Sequence, residues 1–194
     1  MSQGNYSVMP HDETPRKTAL LLIDLINDYE FEGGEKVRQS VERMLPQLEL
    51  LLERARSSGA AVIYANDNVG RWRSSFDDVI AHATNGGSKA AAIVEALMPR
   101  RKDYLVLKPG HSCFHATPLE IILRELRVER LVLTGQLVNS CVFFTAHDAH
   151  MRGFELVVPS DAVAAIDDED IPPTLQQLEK LLHADVRPCA EIEL

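Results

Sequence analysis

The sequence predicts an α/β protein with a three-layer α/β/α, Rossmann-like fold around a central, mostly parallel sheet of about six strands. Short apolar runs alternate with longer amphipathic segments along the chain, as in parallel sheets whose crossovers are helices. The first run, residues 18–24, is almost continuously apolar, as expected for a strand that helices cover on both faces. Residues 35–58 then carry apolar side chains at three- and four-residue steps, which indicates an amphipathic helix.

The same alternation predicts the remaining elements. Further strands are expected at residues 60–65, 104–108, 130–135 and 154–159, with a short sixth strand at 184–188. Further helices are expected at residues 88–97, 116–128, 138–152 and 172–183. The long polar and irregular stretch between the second strand and the second helix, residues 66–87, is expected to be a loop, and loops of that length are often functional.

Capping residues support the boundaries of these helices. Gly59 and Gly153 follow helical patterns and are typical C-terminal stops. The segment from Thr117 to Glu120 reads Thr-Pro-Leu-Glu, which places an N-cap threonine, a first-turn proline and a glutamate where each favours a helix start. The helix of residues 116–128 is therefore predicted by its apolar pattern and by the residues at its N-terminus.

Length and composition indicate one soluble globular domain. The chain has 194 residues, of which 45% are hydrophobic and 25% charged, so it can bury a sizeable core without disulfides or a structural metal. We expect the domain to span residues 18–194, after a polar N-terminal arm of residues 1–17. The formal net charge of −9 argues against a nucleic-acid partner, since no basic stripe is present to meet phosphates.

Cysteine usage and hydropathy predict a cytoplasmic protein. Three cysteines cannot form a closed set of disulfides, and no pair has Cys-x-x-Cys spacing, which favours a reducing compartment. The first residues show no apolar segment of the signal-peptide kind, and no run reaches membrane-spanning length. We therefore expect no membrane partner.

Three side chains with complementary chemistry fall at the carboxyl edge of the predicted sheet. Asp24 ends the first strand, Lys108 ends the third, and Cys141 follows the fourth, where the chain turns into a helix. Ligands of such sheets bind beyond the carboxyl ends of the strands. We therefore expect the three residues to meet there and to bind a small-molecule substrate.

The residue types suit nucleophilic catalysis. A thiolate is the reactive form of cysteine, and both a helix start and the ammonium of Lys108 are expected to lower the pKa of Cys141. Asp24 is suited to take the thiol proton and to return it to a leaving group. Backbone amides in the turn of residues 135–141 are suited to form an oxyanion hole.

Each of these residues also has an ordinary structural interpretation. An aspartate after a strand is usually a cap or turn residue, a cysteine at a helix start is usually a small buried apolar group, and a lysine after a strand is usually solvated. Their common position at one edge of the sheet favours the catalytic interpretation.

Three long segments resemble a known family. They are ALLLIDLINDY (19–29), LVLKPGHSCFHATPLEIIL (105–123) and LVLTGQLVNSCVFFTAHDAHMRGFELVVPSDAVAA (131–165). They resemble the isochorismatase-like cysteine hydrolases, which include nicotinamidases, N-carbamoylsarcosine amidases and ureidoacrylate amidases. The resemblance implies an Asp24–Lys108–Cys141 triad and a cis peptide bond before the nucleophile, at Gln136–Leu137. It also implies that the amides of Leu137 and Cys141 bind the oxyanion, and that the chain forms a homodimer or homotetramer.

One departure from the family bears on cofactors. In the family that the chain resembles, nicotinamidases carry an Asp-x-His pair after the second strand and a later histidine, and these residues bind a metal. This chain has Asn68 at the position of the ligand histidine, and the nearest histidine, His82, is not at ligand spacing. We therefore expect no metal and no other cofactor, since zinc requires several converging ligands.

Residues on the loops of the same edge are candidates for binding the substrate. They are Tyr29, Asn66, Trp72 and Phe114. For Trp72, an anchor that holds the loop on the domain is an equally good interpretation.

For several neighbouring residues two interpretations remain open. His115 and the Arg71/Arg73 pair are either solvated loop residues or substrate contacts. Cys113 is either a packed side chain or a second reactive thiol. Asp148 and Asp161 are expected to hold loops by hydrogen bonds.

The presence of Cys141 favours a metal-independent hydrolase that cleaves a small amide, ureido or carbamoyl C–N bond through a thioester. Two alternatives remain. One is a vinyl-ether hydrolase of the isochorismatase type that uses Asp24 without the thiol. The other is a catalytically silent binding protein on the same fold.

Overall fold

The structure is a computed structural model that describes residues 17–68, 73–85 and 88–194. Six parallel strands form one sheet, in the order β3-β2-β1-β4-β5, and β6 pairs with the end of β4. The strands are β1 Thr18–Ile23, β2 Ala61–Asp67, β3 Tyr104–Lys108, β4 Arg130–Gln136, β5 Glu155–Val157 and β6 Val163–Ala164. The predicted α/β fold with a mostly parallel sheet of six strands is confirmed.

Six α-helices surround the sheet in the described residues. They are α1 Gly34–Ser58, α2 Phe76–Thr84, α3 Ala91–Ala96, α4 Leu119–Glu125, α5 Phe143–Met151 and α6 Ile171–Leu182. A π-helical turn, Val138–Val142, joins β4 to α5, and short 3-10 turns span Asp168–Asp170 and Cys189–Glu191. None of these helices is both long and apolar enough to span a membrane.

The central strand β1 shows why the fold has three layers. All six of its residues are buried. Leu20 and Leu22 pack with the apolar side of α1, whereas Leu21 and Ile23 pack with α4, α5 and α6 on the other face. Successive strand side chains point to opposite faces, so a continuously apolar strand requires a core on each side.

The register of the sheet brings the carboxyl ends of four strands together. Ile23, the last residue of β1, lies opposite Ala65 of β2 and Gly135 of β4. Asp67 of β2 lies opposite Lys108, the last residue of β3. Residues that directly follow these strands therefore share one edge, which is where the sequence predicts the site.

The segment predicted as a loop, residues 66–87, contains helix α2. Ser75 accepts a hydrogen bond from the amide of Asp78, whose side chain accepts from the amide of Ser75, so the helix begins with a capping box. Its buried side chains are Phe76, Val79 and Ala83, which lie at three- and four-residue steps. The prediction was wrong here because these apolar residues are sparse within a polar stretch.

Two further boundaries differ from the prediction. Residues 184–188 do not form the sixth strand; Asp185 makes a single bridge to Val157, and the sixth strand is β6. Helix α4 begins at Leu119 rather than near residue 116, although the Thr117 hydroxyl does accept from the Leu119 amide at 3.2 Å. Glu120 does not cap the helix, because it pairs with Arg124 and Arg152.

Candidate active site

The structure brings Asp24, Lys108 and Cys141 together at the carboxyl edge of the sheet. The ammonium Nζ of Lys108 lies 2.8 Å from Asp24 Oδ2 and 3.5 Å from Cys141 Sγ. The Lys108 side chain is 2% exposed and that of Asp24 is 10% exposed, so the ion pair is almost fully removed from water. Cys141 is partly exposed and lies at the wall of a cavity.

Lys108 uses each of its three N–H donors within the site. They reach Asp24 Oδ2, Cys141 Sγ and the carbonyl oxygen of Gly110, which is 3.2 Å away. An ammonium has three donors and no acceptor, so these three contacts suit the protonated amine. The charge of Asp24 and that of Cys141 as a thiolate raise the pKa of Lys108 well above its ordinary value, although burial acts in the opposite direction. Lys108 is therefore a fixed cation and not a base.

Burial raises the pKa of the two other groups. For Asp24, desolvation raises the pKa above its ordinary value, and the pairing with Lys108 only partly offsets it. For Cys141, burial and then the negative charge of Asp24 raise the pKa to about 11, against the lowering effect of Lys108. The expectation of a lowered pKa for Cys141 is wrong, because the sequence could not show how deeply the thiol is desolvated.

The backbone around Asp24 is fixed by neighbouring strands. Asp24 has a positive φ of 54°, its amide donates to the carbonyl of Ala65 at 2.9 Å, and its carbonyl accepts from Nε2 of Gln136 at 2.7 Å. Asn66 makes a matching contact, since its Nδ2 donates to the carbonyl of Ile26 at 2.8 Å. Two buried amide side chains, one on each side of β1, thus hold the turn that carries Asp24.

The turn that carries Cys141 is tied to the loop after β3. The peptide bond between Gln136 and Leu137 is cis, as the resemblance implies. The hydroxyl of Thr145 donates to the carbonyl of Cys141 at 2.7 Å and accepts from the amide of Cys113 at 3.0 Å. This fully buried threonine couples the π-helical turn to the loop that begins with Lys108.

A cavity of about 720 Å³ opens in front of the three residues. Its described wall includes Asp24, Lys108 and Cys141, together with Leu137 and Asn66. Asn66 was predicted to bind substrate, and the structure places it in this wall, 2% exposed, with no partner for Oδ1 among the described residues. Its role in binding remains a prediction.

Two other residues predicted to bind substrate do not line this cavity. Tyr29 turns into the core beside α1, where it is 6% exposed, because its left-handed backbone (φ 60°) directs the chain back onto that helix. Phe114 packs in the opposite layer, with its ring 6.1 Å from that of Phe154 and with Arg152 above it. The structure places both side chains in the hydrophobic core, and their role in binding remains a prediction. Trp72 lies outside the described residues.

His111 was missed by the sequence reasoning. Its Nδ1 lies 3.2 Å from Ser140 Oγ and 3.8 Å from Cys141 Sγ, and its ring stacks on Phe144. It also lines the cavity. Its position three residues after Lys108 was the available signal, because the loop after β3 leads directly along the same edge.

A pair at the mouth of the cavity was also missed. His82 Nε2 lies 2.7 Å from Asp28 Oδ2, and both residues line the cavity. Asp28 follows β1 closely, whereas His82 belongs to helix α2, which the sequence reasoning took as a loop. The pairing could not be inferred without that helix.

The described residues do not fit the metal site of nicotinamidases. Asn68 replaces the expected ligand histidine, and His82 contacts a single carboxylate. Across residues 17–68, 73–85 and 88–194, no three His, Cys, Asp or Glu side chains converge as metal ligands would. The absence of a metal remains a prediction, and no chemical step below depends on one.

The neighbouring residues with open interpretations that the structure describes do not line the cavity. Cys113 is fully buried, and burial raises its pKa to about 12, as expected for a packed side chain. His115 and Arg73 are exposed and do not line the cavity, and Arg71 lies outside the described residues.

The two aspartates expected to hold loops do so. Asp148 accepts from the hydroxyl of Ser112, and Asp161 accepts from the amide of Cys189 at 2.7 Å.

Known proteins share the sequence pattern and the fold of this chain. The isochorismatase domain matches residues 18–186. The uncharacterized isochorismatase family protein YaaI of Bacillus subtilis is 38% identical over 168 residues, which are 87% of this chain and 92% of that protein. Maleamate amidohydrolase of Pseudomonas putida is 29% identical over 159 residues, which are 76% of this chain and 72% of that protein.

Among solved structures, N-carbamoylsarcosine amidase from Thermoplasma acidophilum superposes with a TM-score of 0.70 at 26% sequence identity. The match covers 92% of this chain and 99% of that chain. The similarity therefore extends over almost the whole domain and includes every element that carries a residue of the candidate site.

Proposed function

The chain belongs to the isochorismatase domain family, and from this we propose that it is a metal-independent hydrolase that cleaves the C–N bond of a small amide, ureido or carbamoyl compound through a thioester at Cys141. The observation that carries the proposal is the position of the Lys108 ammonium, which contacts both the Asp24 carboxylate and the Cys141 sulfur beside an open cavity. A hydrophobic side chain would stabilise the fold better than a buried cation that joins a carboxylate to a thiol, so stability alone does not explain Lys108.

In the first step the sulfur of Cys141 attacks the carbonyl carbon of the substrate, and the thiol proton passes to Asp24. The raised pKa of Asp24 makes it a stronger base than an ordinary carboxylate. The raised pKa of Cys141 keeps the sulfur a thiol until substrate arrives. Lys108 then stabilises the charge on the sulfur, because its ammonium already lies within contact distance.

In the next step the C–N bond breaks, the Asp24 proton moves to the leaving nitrogen, and a thioester remains on Cys141. Water then attacks the thioester while Asp24 takes its proton, and the acid product leaves as the sulfur regains a proton. We assign the oxyanion of both tetrahedral intermediates to the backbone amides of Leu137 and Cys141. In support, both residues line the cavity next to the reactive sulfur.

Replacement of the nucleophile tests the proposal. Cys141→Ala is expected to lower kcat by about 10⁴-fold or more, as removal of a nucleophile does in comparable hydrolases. The measurement is release of ammonia from a panel of small amides, ureides and carbamoyl compounds. Cys189→Ala is the matched control, since it removes a buried thiol outside the site. Acid-quenched wild-type enzyme is expected to show the mass of an acyl adduct, which Cys141→Ala lacks.

Unchanged turnover in the Cys141→Ala variant would refute a thioester route. If wild type and Cys141→Ala both cleave a small vinyl ether and Asp24→Asn does not, a vinyl-ether hydrolase that does not use the thiol is the correct assignment. If wild type hydrolyses neither the panel nor the vinyl ether and no acyl adduct forms, a binding protein is the favoured assignment.

A further inference from the structure

Carboxylates outnumber cations in the described wall of the cavity. Asp28, Glu30 and Asp67 line it in addition to Asp24, whereas Lys108 is the only lysine or arginine among the described lining residues. Lys108 and Asp24 neutralise each other at 2.8 Å. The other three carboxylates therefore give the cavity a negative potential, and a cleft with low-dielectric walls strengthens such a field.

Two buried amide groups add acceptors without donors. Asn66 and Gln136 are 2% and 3% exposed, and both line the cavity. One N–H of each amide donates to a backbone carbonyl, that of Ile26 for Asn66 and that of Asp24 for Gln136. Asn66 Oδ1 and Gln136 Oε1 accept no hydrogen bond from any described residue. A buried acceptor without a donor is unfavourable, so a ligand that supplies N–H groups is stabilised there.

Lysine and arginine donors for an anionic group are scarce in the same described wall, whose other side-chain donors include the imidazoles of His82 and His111 and the uncharged groups of Asn27 and Ser140. The three N–H groups of Lys108 are used on Asp24, Cys141 and the Gly110 carbonyl. His82 is bound to Asp28. A carboxylate on the substrate would thus meet carboxylates rather than a free cation on the described wall.

We infer that the substrate is an uncharged or positively charged amide or urea with several N–H donors, and that amides carrying a carboxylate are disfavoured. The inference rests on the proposed function for the bond that is cleaved. The charge of the cavity, however, can be measured at Cys141 without any turnover.

Charged thiol reagents measure this potential directly. A methanethiosulfonate transfers its thioalkyl group to the thiolate, so that an S–S bond forms and methanesulfinate leaves. The rate of Cys141 labelling at pH 8 is compared for the trimethylammonioethyl and the sulfonatoethyl reagents, each divided by its rate with 2-mercaptoethanol. We expect the cationic reagent to be favoured about tenfold at low salt, and the preference to shrink as salt screens the carboxylates. Cys141→Ala corrects for Cys113 and Cys189.

Removal of the carboxylates provides the matched comparison. Asp28→Asn/Glu30→Gln is expected to bring the normalised ratio close to one. Glu49→Gln/Glu179→Gln makes the same change in net charge on exposed helix surfaces and is expected to leave the ratio unchanged. A wild-type ratio that favours the anionic reagent would overturn the inference. If Arg71→Gln then abolished the preference for the anionic reagent, the cation responsible for that preference would be Arg71.

Three amides of similar size extend the test to catalysis. Among 3-aminopropanamide, butanamide and succinamic acid, we expect kcat/KM for succinamic acid to be at least tenfold below the other two. Fastest hydrolysis of succinamic acid would overturn the inference while leaving the hydrolase assignment intact. If none of the three reacts, the labelling ratio still decides the inference, and only the proposed function is in question.

Discussion

At Cys141, the resting sulfur is a thiol because burial and the charge of Asp24 both oppose the thiolate. The side chain is activated only when a substrate approaches and Asp24 takes the proton. This separates reactivity toward general electrophiles from catalysis, since the same carboxylate that promotes turnover suppresses the thiolate at rest.

Asp24→Asn is therefore expected to have opposite effects on the two activities. Turnover is lost, because the amide cannot accept the proton. Alkylation of Cys141 by iodoacetamide becomes faster, because removal of the negative charge lowers the pKa of the thiol and each unit of that lowering gives about tenfold more thiolate. The measurement is the pseudo-first-order alkylation rate against pH, which in wild type rises toward a midpoint at about 11.

Lys108→Met provides the opposing variant for this experiment. Loss of the ammonium raises the pKa of Cys141 further, so alkylation at a given pH slows. Slower alkylation in Asp24→Asn than in wild type would contradict the assigned effect of the carboxylate. Cys141→Ala again supplies the background from the buried thiols.

At the scale of the elements, the site depends on the close approach of β4 to the end of β1. Gly135 has φ 112°, and a Cβ at this position would lie 2.1 Å from the carbonyl oxygen of Ile23. Both features exclude a side chain, and the adjacent Gln136 is the residue that holds the carbonyl of Asp24. Displacement of β4 would therefore also displace the base.

Gly135→Ala is expected to destabilise the fold by about 3 kcal/mol or more, because backbone atoms of two central strands must move. Gly153→Ala is the matched control: φ is 81° there, but a Cβ would meet no atom within 4 Å. It is expected to cost about 1 kcal/mol, from the left-handed backbone alone. Urea unfolding measures both, and equal losses would show that contact with β1 is unimportant.

At the scale of the whole molecule, the Asp24–Lys108 pair lies in the interior between two hydrophobic layers. Separating the partners is costly because it leaves a buried charge without a counterion. Lys108→Met is expected to lower the free energy of unfolding at pH 7 by about 3 kcal/mol. Asp24→Asn/Lys108→Met is expected to recover about 2 kcal/mol of this, because the orphaned charge is removed as well.

The difference in free energy of unfolding between Lys108→Met and the double variant depends on pH because the pKa of Asp24 is raised. In Lys108→Met the carboxyl binds its proton more tightly in the folded than in the unfolded state. The contribution of the Asp24 carboxyl to the stability of this variant is thus fully present below the ordinary pKa of 3.8. It is lost as the pH rises through the folded-state pKa. The gap between the single and double variants should widen with rising pH in urea unfolding. A gap independent of pH would mean that Asp24 is not the titrating group.

Assembly of the whole molecule into a homodimer or homotetramer remains a prediction from the family resemblance. Sedimentation equilibrium of the purified chain measures it directly.

The sequence by itself determined the order of the first five strands and of five helices, and the common edge of Asp24, Lys108 and Cys141. Continuous apolar runs identify strands buried on both faces, and parallel strands place their carboxyl ends side by side. Such patterns are local or follow from topology, so they can be read from one chain. Helix α2 was not predicted because its few apolar residues lie in a polar stretch.

Only the tertiary structure decided which side chains line the cavity and how they titrate. Tyr29 and Phe114 occupy loops at the correct edge, yet both turn into the core, whereas His111 and Gln136 line the cavity. The pKa of Cys141 likewise depends on burial and on the distances to Asp24 and Lys108. Side-chain direction and desolvation arise from contacts between distant segments, and periodicity along the chain does not encode them.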